Sequence, residues 1–480
     1  MFKFKRQLYE SLPFFLRRLV RFVPFGVLAG KSYRDVCARS RTMEFAGGET
    51  LRQFQEDALG RILIFATRHV RAYKQLAEAV DQLPPRMAIR EFPLLDKATI
   101  KQNPQDFLAD DLSESRYWET TTGGTSGDQL QFFLDNSAQS REMAFIHRLW
   151  ARVGYSPQTS KATFRGVKFA RAAQGRYWQD NPIYNERQFS PFHLSESTLC
   201  AYIRAIRDYR PQFLHGYPSS IGYLAVLCGR HGVDVKDLGI RAALLGSEAV
   251  LPEQRRAIES AFGTRVYSWY GHSERIILAG ECEHSSVYHH VPDYGFLEIL
   301  DNNGNEVCEG ESGEIVGTGY WNDVMPLIRY RTGDAARRLS TTCECGRSHE
   351  RFDQVQGRWA QEYVVGSNGA MMSLAALNMH GPEWENVARY QYVQERPGEI
   401  ELRLMVTHEF SNADAGGLVR AFEKRVGSNL RVYIRVVDDI PLTARGKLKR
   451  LDQRLRIESV HDLFSAVTSN SQSSEPVIGM

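Results

Sequence analysis

The chain has 480 residues, with 60 lysines and arginines against 57 aspartates and glutamates, so its formal net charge is only +3. At roughly 150 residues per domain, this length predicts two to four folded units. The near-neutral charge, without a basic and aromatic stripe, argues against a nucleic-acid-binding protein, including one that contains zinc. Seven cysteines are too few to indicate a disulfide scaffold. Composition thus describes an ordinary globular protein, whose function must be inferred from local motifs.

The amino terminus is basic and aromatic, but it is not typical of an export signal. Arg17, Arg18 and Arg21 interrupt the apolar stretch that a signal peptide needs. No run of about 18 apolar residues predicts a membrane-spanning helix. We therefore expect a cytoplasmic protein. The favoured interpretation of this segment is a helix docked on the protein's own core, and the alternative is peripheral contact with an anionic membrane surface.

Residues 1–115 are predicted to form a charged, helical lead-in with one helix over 56–77. The next part alternates short apolar strands with helices, which is typical of a mainly parallel, layered α/β sheet. The predicted strands are 213–215, 242–245 and 266–270. Three helices are predicted: one over 138–153, one over 221–228, and one that Pro252 opens and Gly263 closes. A turn at 217–220 is predicted before the second helix.

After about residue 290 the pattern changes to a β-meander, with strands at 296–300, 306–308 and 314–316. A small α+β unit follows, with a strand pair around Arg396-Pro397-Gly398, a helix between the N-cap Asn412 and Gly427, and a strand at 432–437. The fold class is α/β. We predict a large composite N-terminal domain, residues 1–357, a small mobile α+β C-terminal lid domain, residues 358–465, and a disordered tail, residues 466–480.

A Gly-rich stretch begins after Thr121 and consists of Thr122, Gly123, Gly124, Thr125, Ser126 and Gly127. Glycines let backbone amides turn toward an anion, and the hydroxyls add donors, so the stretch suits phosphate oxygens. An ordinary surface loop is the alternative interpretation. No G-x-x-x-x-G-K-[ST] sequence is present, which argues against a P-loop NTPase.

Further motifs follow in a fixed order along the chain. They are Gly246-Ser247-Glu248, Tyr270-Gly271-His272-Ser273-Glu274, Tyr330-Arg331-Thr332-Gly333-Asp334, Gly357-Arg358 and Pro441-Leu442-Thr443-Ala444-Arg445-Gly446-Lys447. The series resembles the adenylate-forming superfamily of acyl- and aryl-coenzyme A ligases over about residues 115–455. The phrases around Tyr330 and Cys343 resemble the phenylacetate:coenzyme A ligase branch, especially its members associated with capsular polysaccharide.

Residue chemistry and the resemblance agree on several roles. The ring of Tyr270 can stack on adenine, the carboxylate of Glu274 suits Mg²⁺, and Asp334 can accept both hydroxyls of a ribose. The resemblance implies that Arg358 contacts ribose and phosphate near a hinge, and that Lys447 is catalytic because its charge can stabilise the reacting phosphates. It also assigns nucleotide binding to the Gly-rich stretch and to Gly246, Ser247, Glu248, Gly271 and Ser273. The alternatives are an ordinary strand-end tyrosine, solvated or turn acids, a surface arginine and a generic basic loop.

Two departures from the family pattern concern the same reaction. Asp128-Gln129 follows the Gly-rich stretch where many members have Lys-Pro, which places an acid near the expected phosphates. Trp359-Ala360-Gln361-Glu362 follows Gly357-Arg358 where the hinge usually has an aspartate. The difference at the hinge most affects the second half-reaction, in which the activated acyl group is transferred to its acceptor.

Cysteines and histidines form a separate set, namely Cys282, Cys343 and Cys345 with His284, His289 and His290. Thiolates and imidazole in groups of four are the usual ligands of tetrahedral zinc, although a Cys-x-Cys spacing alone is a weak signal. Zinc-bearing members of the branch have a cysteine, a histidine before a Pro-Asp-Tyr-Gly-like phrase and a later Cys-x-Cys. The resemblance therefore implies a structural zinc on Cys282, His289, Cys343 and Cys345, with His290 as the second choice. The other four cysteines are predicted to be packing residues.

The leading hypothesis is an ATP- and Mg²⁺-dependent ligase that forms an acyl-adenylate and pyrophosphate. The acyl group then passes to the thiol of coenzyme A or to an amine, for instance on a sugar in a surface-polysaccharide pathway. The alternative is a degenerate nucleotide-binding or scaffold protein of such a pathway, which Asp128 and the missing hinge acid favour. The identity of the carboxylic acid and the oligomeric state stay open, and a dimer is compatible with the sequence.

Overall fold

The structure of the protein is a computed structural model that describes residues 19–110, 112–113, 116–122, 130–166, 175–356, 363–377, 382–440 and 450–455. The chain divides into two compact units. The first consists of residues 1–123, 129–158 and 267–358, and the second of residues 124–128, 159–266 and 359–480. The predicted boundary at 357/358 and the predicted tail lie outside the described residues, so the division into domains 1–357 and 358–465 stays a prediction.

Helices dominate the described part of the lead-in, as predicted. They are α1 (Phe25–Ala29), α2 (Lys31–Met43), α3 (Gly48–His69), α4 (Ala77–Gln82), α5 (Pro85–Ala88) and α6 (Lys97–Gln102), with 3-10 turns at Val20–Phe22, Arg71–Leu76, Ile89–Glu91 and Pro104–Phe107. The α3 helix buries Leu59, Ile62 and Ala66, which recur at helical spacing. It begins and ends earlier than the predicted helix 56–77, because the chain becomes extended at Val70.

The first unit continues with an antiparallel hairpin and a long helix. The hairpin pairs β1 (Tyr117–Thr121) with β2 (Gln131–Asp135). Helix α7 (Ala138–Ala151) buries Ile146, Leu149 and Trp150, which confirms the helix predicted over 138–153.

The second unit contains the predicted α/β alternation. Its strands are β3 (Lys161–Phe164), β4 (Trp178–Asn181), β5 (Glu186–Phe189), β6 (Phe213–Gly216) and β7 (Ala242–Leu245), in the order β7-β6-β3-β5-β4. All pairs in this order are parallel except β4 with β5. Helix α8 (Leu199–Tyr209) joins β5 to β6, α9 (Pro218–Arg230) joins β6 to β7, and α10 (Pro252–Phe262) follows β7, with 3-10 turns at Pro182–Tyr184 and Lys236–Leu238. The turn predicted at 217–220 is instead the start of α9, because proline is favourable in a first helical turn.

The remaining strands of the first unit form an antiparallel sheet. They are β8 (Arg265–Gly271), β9 (Leu278–Gly280), β10 (Tyr288–His290), β11 (Gly295–Leu300), β12 (Ser312–Gly319), β13 (Tyr330–Leu339) and β14 (Arg351–Gln356), in the order β11-β12-β13-β14-β10-β9-β8. Residues 306–308 do not form the predicted strand, since only Glu306 bridges to Leu300. The neighbour of β11 is the longer β12.

The C-terminal part of the second unit is the predicted α+β arrangement. It contains β15 (Tyr363–Val365), β16 (Met371–Ser373), α11 (Leu374–Leu377), β17 (Val387–Arg396), β18 (Glu399–Val406), α12 (Asn412–Val426), β19 (Arg431–Val436) and β20 (Leu451–Gln453), with 3-10 turns at Pro382–Trp384 and Gly427–Asn429. Four strands form a sheet in the order β19-β18-β17-β20, and Leu418 and Phe422 of α12 lie in its core. The N-cap of α12 is Ser411 rather than the predicted Asn412, because Ser411 and Asp414 form a reciprocal capping box.

The described chain is thus a mixed α/β fold with a small α+β part near its C-terminus, which confirms the predicted fold class. Among the helices of the described ranges, none combines the length and apolarity needed to cross a lipid bilayer.

Candidate active site and metal centre

The predicted nucleotide-site residues fall into three groups. The first unit contains Thr122, Tyr270, Gly271, Ser273, Glu274 and Asp334. The second unit contains Gly246, Ser247 and Glu248. Residues 123–127, Arg358 and Lys447 lie outside the described residues, as does Asp128.

Thr122 is the first residue of the Gly-rich stretch, and the described part of the chain ends there until Leu130. It is 2% exposed, and its hydroxyl oxygen accepts a hydrogen bond of 3.0 Å from the amide of Leu130. The amide of Thr122 in turn donates to the carbonyl of Leu130. These two hydrogen bonds hold Thr122 beside Leu130, so the residues on either side of 123–129 are paired. Thr122 therefore anchors the start of the Gly-rich stretch.

Tyr270 and Asp334 of the first unit are directly hydrogen-bonded. The Tyr270 hydroxyl, near the end of β8, donates to Asp334 Oδ2 over 2.9 Å. Burial, followed by the neighbouring Asp334 charge, raises the pKa of Tyr270 well above its usual value, so the hydroxyl stays a donor. Asp334 is 5% exposed, and Thr332 accepts a hydrogen bond from its amide. A carboxylate can accept about four hydrogen bonds, so one tyrosine leaves it capacity for a pair of ligand hydroxyls.

His272 completes this group, and sequence reasoning missed it although it lies inside a motif. Its Nε2 is hydrogen-bonded to the Tyr270 hydroxyl. Since that hydroxyl gives its proton to Asp334, Nε2 is the donor in this bond, and in the neutral ring Nδ1 is then an acceptor. Within the described chain, Nδ1 of His272 is buried and has no hydrogen-bond partner. Buried polar atoms of this kind are rare in native proteins, so a bound group with a donor fits this position.

Glu274 is a second buried carboxylate of the first unit. The Tyr330 hydroxyl donates to Glu274 Oε1 over 2.7 Å, and the Lys97 ammonium lies 3.6 Å from the same oxygen. The Glu274 side chain is 7% exposed and that of Lys97 15%. A buried carboxylate with a hydroxyl partner is a hard oxygen ligand of the type that Mg²⁺ prefers, so the residue fits the predicted metal.

Lys97 is the other residue that sequence reasoning missed. It opens α6, whose N-cap Asp96 accepts a hydrogen bond from the first turn. Leu95 forms a parallel bridge with Tyr330 at the start of β13. The two interactions fix the lead-in beside the strand and place Lys97 next to Glu274. No local signal marks Lys97, because the contact joins parts of the chain that are far apart in sequence.

Two residues with left-handed backbone flank the Glu274–Tyr330 pair. Arg275 has φ 59° and Arg329 has φ 48°, and neither is glycine. The guanidinium of Arg329 is held by Glu298 Oε1 at 3.0 Å. Such conformations cost about 1–3 kcal/mol each and persist where the surrounding structure enforces them, most often at functional sites.

The predicted residues of the second unit lie at the carboxyl ends of its parallel strands. Ser247, after β7, has φ 68°, and its hydroxyl accepts a hydrogen bond from the Arg165 guanidinium. Glu248 accepts hydrogen bonds from the amide and hydroxyl of Ser219, at the start of α9. A Cβ at Gly216 would lie 2.3 Å from a carbonyl oxygen of β3, so glycine is required there. Carboxyl ends of parallel strands are where open α/β sheets bind ligands, which makes this edge a candidate binding edge.

The four predicted zinc ligands come together in the first unit. Their ligand atoms, from Cys282, His289, Cys343 and Cys345, lie within 4.8 Å of one another. The sulfurs of Cys282 and Cys343 are 3.8 Å apart, and Cys345 Sγ is 3.4 Å from His289 Nε2. Tetrahedral zinc, with Zn–S of about 2.3 Å and Zn–N of about 2.0 Å, requires edges of about 3.8 Å and 3.5 Å. The set therefore fits a tetrahedral metal ion.

His289 is the imidazole that this cluster includes. Its Nδ1 lies 3.2 Å from the Val287 carbonyl, which orients Nε2 toward the thiols. Burial, followed by the charge of Arg152, lowers the pKa of His289 to about 4, so the ring is neutral as a ligand must be. His290, the second choice, instead has Nδ1 3.3 Å from Glu350, and His284 is half exposed near Glu344.

A buried network of one glutamate and three arginines lies beside the cluster and contacts the segment before Cys282. Glu44 accepts hydrogen bonds from Arg148, Arg152 and Arg347. The Arg152 guanidinium also donates to the Gly280 and Glu281 carbonyls just before Cys282. Burial opposes the charged form of Glu44, but Arg152 and Arg148 outweigh it and hold the pKa of Glu44 far below its usual range.

We expect Glu44→Gln to lower stability by about 3 kcal/mol at neutral pH, because it removes the carboxylate that pairs with the buried Arg152, whereas Arg148 keeps Asp293 and Arg347 keeps Glu283. A depressed carboxyl pKa adds stability above the pKa of the unfolded state, about 4.3, and this contribution is lost as the pH falls. The stability gap between wild type and variant should therefore be constant from pH 7 to 5 and narrow below about pH 4.3. Urea unfolding of both proteins over this range measures the gap, and a gap that widens on acidification would contradict the assignment.

Comparison with known proteins shows what this chain is similar to. A family model described as the CapK C-terminal domain matches residues 364–452. Phenylacetate-coenzyme A ligase of Pseudomonas putida is 24% identical over 428 residues, which are 85% of this chain and 93% of that protein. Protein CapK of Staphylococcus aureus is 22% identical over 75% of this chain and 79% of its own length. The match to phenylacetate-coenzyme A ligase of Thermus thermophilus is 28% identical over 52% of this chain, but it spans only 62% of that enzyme, less than two thirds.

Solved structures show the same fold. A 2-hydroxyisobutyryl-CoA ligase in complex with 2-HIB-AMP and CoA matches with a TM-score of 0.57 and 17% identity, over 90% of this chain and 94% of that one. The same ligase in a postadenylation state matches with a TM-score of 0.55. At this identity the likeness establishes the fold alone. The chain is therefore similar in sequence to phenylacetate-coenzyme A ligases and to Protein CapK, and it shares its fold with a 2-hydroxyisobutyryl-CoA ligase.

Proposed function

We propose that this protein activates a small carboxylic acid with ATP and then transfers the acyl group to the thiol of coenzyme A. A carboxylate oxygen attacks the α-phosphorus, the bond to the β-phosphate breaks, and pyrophosphate leaves. The thiolate then attacks the acyl carbon and AMP leaves. The observation that carries the proposal is the pair of buried carboxylates in the first unit, Asp334 held by Tyr270 and Glu274 held by Tyr330.

The two carboxylates suit different parts of the nucleotide. Asp334 has acceptor capacity for the ribose hydroxyls, and the unpaired Nδ1 of His272 suits a donor such as the adenine amino group. Glu274 would hold Mg²⁺, which supplies charge neutralisation on the phosphates. Gly271 and Ser273 belong to the motif that carries these groups. The Gly-rich residues 123–127, with Thr122 as their anchor, would add amide and hydroxyl donors to the phosphates.

The remaining assignments rest on the family pattern. Lys447 would stabilise charge on the reacting phosphates during adenylation, and Arg358 would contact ribose and phosphate. Rotation of the C-terminal domain near residue 358 would then exchange the Lys447 loop for the acceptor. The family pattern also assigns nucleotide binding to Gly246, Ser247 and Glu248 of the second unit, where Arg165 beside Ser247 adds a cation.

The acceptor and the setting are finer parts of the proposal. Relatives named coenzyme A ligases support coenzyme A as the acceptor. An amine on a sugar in a surface-polysaccharide pathway stays the alternative, which rests on the resemblance of the sequence motifs alone. Free thiols at all seven cysteines fit a reducing cytoplasm.

Pyrophosphate–ATP exchange with a panel of aliphatic, hydroxy and aryl acids tests the first half-reaction. We expect exchange with at least one acid in the wild-type protein and its loss in Lys447→Ala, while adding coenzyme A should release AMP. Full exchange by Lys447→Ala would contradict the role of Lys447. Calorimetric binding of ATP and Mg²⁺ without exchange for any acid would instead favour the degenerate scaffold.

Tyr270→Phe should raise KM for ATP about two- to tenfold with little change in kcat, because it removes one hydrogen bond from the Asp334 carboxylate. The exchange assay at saturating acid measures both constants. Tyr288→Phe is the matched control, since its ring also contacts Phe352 but its hydroxyl is hydrogen-bonded to Ser268. Equal effects of both variants on KM would show that loss of a hydroxyl in this part of the sheet, rather than loss of the Asp334 bond, is responsible.

A further inference from the structure

The segment before α2 exposes an unusual amount of apolar surface. Nine large hydrophobic side chains are exposed among the described residues, and four of them lie within nine positions of one another. They are Leu19, Phe22, Val23 and Val27, with exposed fractions of 56%, 69%, 38% and 57%. Single exposed apolar residues are normal, but a concentration of this kind marks an interaction site. We call these four residues the apolar segment.

The apolar segment is fixed to the body of the first unit. Phe25, in the same stretch, is 7% exposed and packs edge-on against Tyr33 and His147, with ring centroids 5.1 Å and 5.2 Å away. The Ala29 carbonyl at the end of α1 accepts a hydrogen bond of 2.9 Å from Ser140 of α7. Phe25 therefore anchors the segment to the first unit, while the four residues of the apolar segment are exposed. The exposed side chains thus lie on a segment that packing contacts hold in place.

Charge identifies the partner. Residues 1–29 contain six lysines and arginines and a single acid, Glu10, whereas the rest of the chain has slightly more acidic than basic residues. The basic residues nearest to the apolar segment in sequence are Arg17, Arg18 and Arg21. Basic residues mixed with exposed aromatic and aliphatic residues are the composition that binds anionic lipid, with cations at the headgroups and apolar side chains at the acyl boundary.

We propose that the apolar segment docks this protein on the surface of an anionic lipid bilayer. None of these four residues belongs to the proposed nucleotide or metal sites, so the proposal does not depend on the ligase reaction. A second copy of the chain would bury the apolar side chains equally well but would bring like charges together, which makes it the less favourable occupant.

Sedimentation of the full chain with lipid vesicles tests the proposal. We expect binding to vesicles of phosphatidylcholine with phosphatidylglycerol, no binding to phosphatidylcholine alone, and weaker binding as salt rises. The double variant Leu19→Ser with Val27→Ser should reduce the partition coefficient about tenfold or more, because less apolar surface enters the membrane.

The matched control is Tyr433→Ser with Val436→Ser, which removes two exposed apolar side chains from β19 in the second unit. It should bind vesicles as the wild type does, and unchanged thermal unfolding would confirm that both double variants are folded. The proposal is overturned if the wild type does not sediment with anionic vesicles, or if Leu19→Ser with Val27→Ser binds them equally well. It is also overturned if the wild type does not bind vesicles and light scattering shows that it is a dimer. In that case Leu19→Ser with Val27→Ser would dissociate the dimer and Tyr433→Ser with Val436→Ser would not.

Discussion

Replacement of Glu274 by glutamine should lower the rate of acyl-adenylate formation about 10²–10³-fold, which is the size of effect seen when one stabilising group is removed from a reacting site. The amide keeps an oxygen that can accept the Tyr330 hydroxyl, so the local shape is retained. What is lost is the negative charge that would hold Mg²⁺. Pyrophosphate–ATP exchange at saturating ATP measures the rate, and Mn²⁺ binding followed by electron paramagnetic resonance gives a readout independent of turnover.

Variants of Lys97 distinguish a metal-ligand role of Glu274 from a purely structural role as the ion-pair partner of Lys97. If Glu274 served only as the partner of Lys97, Lys97→Met and Glu274→Gln should lower stability alike and leave Mn²⁺ affinity unchanged. If Glu274 is a metal ligand, Glu274→Gln should weaken Mn²⁺ binding. Lys97→Met should not weaken it, because this variant removes the ammonium that lies 3.6 Å from the Glu274 carboxylate and competes with the metal ion for it. Glu306→Gln, which breaks an exposed ion pair with Arg338, is the control for removing a carboxylate elsewhere in the same unit. Wild-type Mn²⁺ affinity in Glu274→Gln would refute the metal role.

Features that depend on local order were predictable from the sequence. The parallel strands β6 and β7 and the helix α10 follow from short apolar runs and from Pro252 and Gly263, whose effects act within a few residues. The pairing of β17 with β18 follows from the turn at Pro397-Gly398. The position of Tyr270 near the end of a strand was predictable, although its hydroxyl bond to Asp334 was not.

Features that depend on tertiary contacts were not predictable. Lys97 meets Glu274 only because Leu95 bridges to Tyr330, and no pattern around Lys97 announces a bridge to a distant strand. The strand expected at 306–308 is reduced to a single bridge, because β12 pairs with β11 instead. Local propensity is a weak guide wherever such long-range pairing competes with it.

The choice of histidine in the metal cluster shows the same limit. Spacing left three candidates, since all of them lie within a few residues of Cys282. His289 and His290 are consecutive in β10, and consecutive side chains of a strand point to opposite faces. Only one of the two can therefore join the cysteines. Pairing of β10 between β9 and β14 decides that it is His289, and this pairing is a property of the whole sheet.

Removal of zinc should destabilise the first unit far more than loss of any single surface contact. The cluster joins the segment after β9, the strand β10 and the loop between β13 and β14, so one ion would hold three separate parts of the sheet. Zinc at a free concentration of about a thousand times its dissociation constant adds about 4 kcal/mol to the stability of the folded state. We expect the double variant Cys343→Ser with Cys345→Ser to lose this contribution.

Native mass spectrometry should find one zinc ion per wild-type chain and none in the double variant, and thermal unfolding should start about 10 °C lower in the variant. Cys200→Ser with Cys308→Ser is the matched control, because both of these cysteines are exposed and lie outside the cluster. The control should keep its zinc and its unfolding temperature.

The position of the cluster also predicts how this destabilisation relates to catalysis. His289 of β10 pairs with Gly280 of β9 and Arg351 of β14, and β9 in turn pairs with β8, which carries Tyr270. Loss of zinc should therefore raise KM for ATP before the unit unfolds, because the strand that supports Tyr270 loses its fixed neighbour. Wild-type protein treated with a chelator should reproduce the effect, and added zinc should reverse it. A zinc-free protein with unchanged stability and unchanged KM would show that the four side chains hold no structural metal.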